Sequence, residues 1–108
     1  MDTEMREPFA VIHPAEHLVE FIEEAGLNAA RLAAALHVPR NRVTRILNHE
    51  SGISMDMAHR LGRFFGQSPE FWQGLQAHYD RAVAARDGLP ERIAAEVTPH
   101  NWRELEDA

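Results

Sequence analysis

Apolar residues recur along this chain at helical spacing, and no stretch alternates as a strand would. Leu18, Phe21, Ile22 and Ala25 fall at i, i+3, i+4 and i+7, which gathers them on one helix face. Glu16, Glu20, Glu23 and Glu24 fill much of the remainder. His13-Pro14 opens this helix, because proline is tolerated at a first helical position whose N–H has no partner anyway. Gly26 stops it. Asn28 suits the N-cap of a second helix, with Leu32, Ala33 and Leu36 inward. A three-residue turn, His37-Val38-Pro39, leads into a third helix. On its wheel Val43, Ile46 and Leu47 lie together, while Arg40, Asn41, Thr44, Arg45 and Asn48 lie opposite and Arg42 falls at the border.

The polar stretch His49-Glu50-Ser51-Gly52 reads as a loop. Ser54 then caps a fourth helix, whose inner face is Met57, Ala58, Leu61, Phe64 and Phe65 and whose end is Gly66. Ser68 caps a fifth, with Pro69 at its first position. Phe71, Trp72, Leu75, Tyr79, Ala82 and Val83 form its apolar stripe, and Asp87-Gly88 closes it. The pattern predicts an all-α domain of five short helices over residues 13–87, preceded by an arm at 1–12. Residues 88–108 form a C-terminal tail with room for one short helix after Pro90, with Ile93, Ala94 and Val97 inward. Within it, residues 28–48 have the layout of a helix-turn-helix, with arginines where a helix enters the DNA major groove.

Charge sharpens that reading. The chain of 108 residues carries a formal net charge of −6, which on its face speaks against nucleic acid. Its distribution says otherwise. Residues 1–30 hold seven acids and one arginine, residues 31–63 six arginines and two acids, and residues 64–108 eight acids and four arginines. The helix-turn-helix is thus a basic island, and DNA responds to local charge because salt screens beyond about 8–10 Å. All eleven basic residues are arginine, a bias that fits a GC-rich genome. There is no cysteine, hence no disulfide framework or thiolate metal site. No apolar run approaches a membrane span and the acidic start is not a signal peptide, so a cytoplasmic protein is expected.

The segments HPAEHL at 13–18, LAAALHVPRNRVTRIL at 32–47, SGISMDMAHRLGRFFG at 51–66 and SPEFWQGLQAHYD at 68–80 resemble the HigA/VapI group of antitoxins, within the Xre (lambda-repressor-like) helix-turn-helix class. The resemblance covers about residues 11–85. The HPxEhL opening and the RLxRFFGxSPEFWxxLQxxYD stretch are its most specific parts. It implies a lambda-repressor-like fold and two linked roles. The protein would neutralise a RelE-like, messenger-RNA-cleaving toxin of the HigB kind encoded beside it, and as a homodimer it would bind a palindromic operator and repress its own operon. Two positions depart from the pattern: Ala29 stands where a polar residue usually contacts the DNA backbone, and His37 stands where the turn usually has glycine.

Candidate residues follow. Arg40, Asn41, Thr44 and Arg45 are placed to contact bases, arginine reading guanine and asparagine reading adenine. Arg42, Arg31 and Asn28 are candidates for phosphate. The alternative is a solvated arginine face. Glu16, Glu20, Glu23 and Glu24, with Asp2, Glu4 and Glu7 ahead of them, could meet the basic surface that an RNase toxin needs; they could equally be an ordinary solvated face. Phe71, Trp72, Leu75, Tyr79 and Val83 could form a dimer interface or seat the fifth helix, and both uses are expected in so small a domain. His13 and His17 are spaced i, i+4, but Pro14 stands where a zincin needs glutamate, so no metal site is read. No nucleophile–base pair, phosphate loop or cofactor motif is present, so an enzyme is not expected. Two other readings stay open: a solitary Xre-type regulator, and a toxin-neutralising protein without DNA binding.

Overall fold

The computed structural model describes residues 11–103. Among these, six helices and no strand occur: α1 (Ala15–Glu24), α2 (Ala29–Leu36), α3 (Arg40–Leu47), α4 (Met55–Phe65), α5 (Pro69–Arg86) and α6 (Leu89–Glu96). The N-terminal arm read at 1–12, with Asp2, Glu4 and Glu7, lies outside the described residues except for Val11 and Ile12.

One core joins the first five helices. Leu18, Leu32, Val43, Ala58, Leu61 and Trp72 are fully buried, with Ile46 and Ala33 nearly so. Each large member contributes about 1.5–3 kcal/mol by leaving water. α3 packs on both α1 and α2, α4 lies against α2 and most extensively against α5, and α6 touches α5.

A left-handed residue follows each of the first five helices, Gly88 (φ 74°) doing so after α5, and the other four divide between two glycines and two histidines. Gly26 (φ 69°) and Gly66 (φ 85°) end α1 and α4, while His37 (φ 60°) and His49 (φ 62°) end α2 and α3. At each, the following N–H reaches back five residues: Leu27 to the Ile22 carbonyl, Val38 to Ala33, Glu50 to Arg45 and Gln67 to Gly62. These bonds satisfy carbonyls that the helix ends would otherwise strand. The turn at His37 therefore keeps the geometry that glycine would give, at the steric cost of a Cβ.

Of the three side-chain caps read from the sequence at Asn28, Ser54 and Ser68, two form, and α6 begins at Leu89 rather than after Pro90. The Asn28 Oδ1 accepts the Arg31 N–H at 2.8 Å, and the Ser54 hydroxyl accepts the Met57 N–H at 3.1 Å. Ser68 holds the cap position of α5, but its side chain caps nothing. The N–H of Phe71 donates to the Ser68 backbone carbonyl at 3.1 Å instead.

Three further expectations are corrected. The sixth helix exists, but Ile93, Ala94 and Val97 do not turn inward: α6 buries no residue, and Ile93 and Val97 stay 44% and 58% exposed. Phe64 is not on the inner face of α4 but 42% exposed, because the last turn of that helix covers the core with Phe65 alone. Trp72 belongs wholly to the interior. Its ring sits among Phe21, Phe65 and Phe71, and its Nε1–H donates to the Gln67 Oε1 at 2.9 Å, so it offers no surface to a partner.

Candidate nucleic-acid interface

α3 has two distinct sides. Val43 and Ile46 anchor it in the core. Arg40, Asn41 and Arg45 are exposed on the other side, with Thr44 half-exposed between them. Among the described residues no carboxylate pairs with Arg40 or Arg45. The Thr44 hydroxyl donates to the Asn41 carbonyl at 3.3 Å, which fixes its rotamer while leaving its lone pairs outward. Two unpaired guanidiniums and an amide on one short helix face are the equipment for reading base edges.

The three phosphate candidates are placed differently. Arg31 is exposed in the first turn of α2. Asn28 spends its side-chain oxygen on the cap, so only its amide N–H groups remain to donate. Arg42 leans toward α4, where its Nη2 donates to the Asp56 Oδ2 at 2.9 Å. The same oxygen accepts the Arg60 Nε–H at 2.8 Å, and the Arg60 Nη1–H reaches the Leu36 carbonyl at 2.8 Å. The hydrogen bonds from Arg60 and then Arg42 hold the Asp56 carboxyl below the usual carboxylate range.

The loop that leaves α3 is gripped from two elements, a feature that sequence reading missed. From α1, the His13 Nδ1 accepts the Ala15 N–H at 3.0 Å, so the residue caps its own helix. Its ring stacks on His49 of that loop. His13 is 5% exposed, and this burial, followed by the neighbouring His49, pushes its pKa down. His49 in turn meets Glu16, Nε2 to Oε2, at 3.3 Å. From α5, the Gln76 Oε1 accepts the Ile53 N–H at 2.7 Å. A Cβ on Gly52 would lie 2.5 Å from that Oε1, so the glycine makes room for the glutamine. No spacing rule announces contacts between residues more than twenty positions apart; the lone glycine at 52 was the one available hint.

The remaining candidates divide. Glu16, Glu20, Glu23 and Glu24 all lie exposed along α1, as read, with Glu16 turned to the α3 exit. Of the α5 stripe, Phe71 is 39% exposed, and Leu75, Tyr79 and Val83 are half-buried around the enclosed Trp72. Tyr79 packs edge-on against His13, with ring centroids 4.9 Å apart. No helix among the described residues is long and apolar enough to cross a membrane.

Comparison with known proteins agrees with this geometry. The helix-turn-helix family model matches residues 18–72. Virulence-associated protein I of Dichelobacter nodosus is 42% identical over 77 residues, which is 70% of this chain and 71% of that one. The addiction module antidote protein of the HigA family from Coxiella burnetii superposes with a TM-score of 0.74 at 44% identity, over 83% of this chain and 98% of that one. The Pseudomonas aeruginosa antitoxin HigA, solved with the higBA promoter, gives a TM-score of 0.76 at 41% identity, over 85% of this chain and all of that one (100%).

Proposed function

This chain belongs to the helix-turn-helix family, among the HigA-like antitoxins, and on that premise we propose that it is an antitoxin that represses its own operon. The observation that carries the reading is α3 itself. A helix pinned by Val43 and Ile46 presents Arg40, Asn41, Thr44 and Arg45 outward, in a chain 41% identical to a HigA solved on promoter DNA. These four residues read bases, and Asn28, Arg31 and Arg42 hold phosphates. The arginine-rich middle supplies the local positive potential that the net charge of −6 conceals.

The working unit in this reading is a homodimer whose two α3 helices enter successive major grooves about 34 Å apart. Phe71, Leu75, Tyr79 and Val83 contribute to its interface, together with the exposed Leu89 and Ile93 of α6, which packs on α5. The acidic face of α1 meets a HigB/RelE-like toxin, whose RNA-binding surface must be basic.

The test has two arms. A mobility shift with the DNA upstream of the protein's own gene, against scrambled DNA at matched salt, should show preference for the natural fragment. Co-expression with the adjacent small basic gene product should yield a complex, and Glu20→Arg with Glu23→Arg should weaken it. DNA preference without a toxin complex leaves a solitary regulator. A toxin complex without DNA preference leaves a neutralising protein alone. Absence of both overturns the proposal.

A further inference from the structure

One carboxylate links α3 to α4, and through Arg60 to the end of α2. The Asp56 Oδ2, in the first turn of α4, takes Arg42 from α3 and Arg60 from its own helix, and Arg60 continues to the Leu36 carbonyl at the end of α2. Arg42 is thus tied fourteen residues away, while Arg40 and Arg45 on the same helix are not tied to any carboxylate among the described residues.

Stability does not explain this arrangement. Both pairs are substantially solvated, with side chains 38–51% exposed, and exposed ion pairs contribute little to folding. What the carboxylate does control is where a long, flexible cation can go. We propose that Asp56 is a positioning residue for sequence discrimination, holding Arg42 against α4 so that its guanidinium meets DNA in one direction only. This rests on the DNA-binding reading above.

A free arginine at the edge of a recognition helix reaches any phosphate within its sweep, and such a contact strengthens binding to every sequence alike. An arginine with one edge held by a carboxylate presents its remaining N–H donors in a fixed plane. It then contributes only when the helix is seated in the register that brings a phosphate, or a base edge, to that plane. Arg60 keeps Asp56 in place, because its Nη1 is bound to α2.

The experiment compares Asp56→Asn, Asp56→Glu, Arg42→Ala and the double variant Asp56→Asn/Arg42→Ala, each titrated with the natural operator and with scrambled DNA over a salt series. In Asp56→Asn the affinity for scrambled DNA should rise roughly fivefold near 0.15 M salt and its salt slope should steepen by about one, the weight of one added phosphate contact. The operator-to-scrambled ratio should fall correspondingly. Asp56→Glu should restore the ratio. Adding Arg42→Ala should erase the gain on scrambled DNA, since the gain belongs to the released guanidinium. Three results overturn the inference: a loss of affinity on both DNAs with unchanged slopes, a gain that persists in full without Arg42, or no change in the ratio. A wild-type protein that does not prefer its operator would overturn the function proposed above, and this inference with it.

Discussion

The imidazole of His13 lies flat on that of His49, with centroids 4.3 Å apart and planes within 9° of parallel. One ring belongs to the start of α1 and the other to the exit of α3, so the stack joins the acidic helix to the arginine-bearing one. His13 is neutral in this arrangement, because its Nδ1 must keep a lone pair for the Ala15 N–H. Glu16 closes the far side of His49, and Tyr79 of α5 covers the edge of His13.

Acid should therefore loosen this joint. Burial and then His49 lower the folded-state pKa of His13 from its usual 6.5, so the unfolded chain binds a proton more readily than the folded one. The contribution of neutral His13 is intact above pH 6.5, declines as pH falls below it, and is lost once pH passes the lowered folded value. Thermal melts between pH 7.5 and 5 should show wild type losing more stability than His13→Asn, whose amide can take over the cap without titrating. Parallel losses in both proteins would contradict this account.

Gly62 and Gly74 should respond oppositely to alanine. A Cβ at Gly62 would stand 2.5 Å from the Gln67 carbonyl oxygen, backbone that cannot easily give way. Gly62→Ala should cost about 1–3 kcal/mol in urea unfolding, as overpacking does. A Cβ at Gly74 meets nothing within 4 Å in the middle of α5, so Gly74→Ala should gain about 0.5–1 kcal/mol.

His37 tests the departure in the turn. Its φ of 60° suits glycine better than any residue with a Cβ. His37→Gly should raise the melting temperature, by up to the equivalent of about 1 kcal/mol, while the β-branched His37→Val should lower it. Equal stability of the glycine and valine variants would show that the turn is not held left-handed in solution.

Arg40 and Arg45 carry the strongest functional expectation. Loss of a bidentate base contact costs about 1–3 kcal/mol of discrimination against the wrong base. Arg40→Ala and Arg45→Ala should each lower operator preference at one or two base positions by roughly that amount, measured by competition with single-base operator variants. Arg31→Ala should instead weaken all sequences alike. A uniform loss for Arg40→Ala or Arg45→Ala would move those residues from base readout to phosphate contact.

The parts of this molecule that could be read from the chain are those governed by spacing. Val43 and Ile46 share a face because helices repeat every 3.6 residues, and Arg40 and Arg45 are exposed for the same reason. Asn28 and Ser54 cap because the bond is local. The failures have equally definite causes. Phe64 and Phe65 both continue the apolar pattern of α4, but only Phe65 packs on the core. Ile93 keeps helical spacing in a helix that packs against α5 without enclosing a residue. Ser68 meets the cap consensus, yet its carbonyl rather than its hydroxyl takes the Phe71 N–H. Arg42, legible as a border residue, could not reveal Asp56, because nothing local ties positions fourteen apart.

The clamp between Gln76 and the loop at Gly52 has a consequence for how this sequence can drift. Any side chain at position 52 must displace the Gln76 amide, and a displaced amide abandons the Ile53 N–H. Shortening residue 76 abandons the same N–H but opens space at 52. The two positions are thus epistatic: each substitution is costly alone, and the second costs less once the first has occurred. Homologues that have lost glycine at 52 should be those that have also given up glutamine at 76.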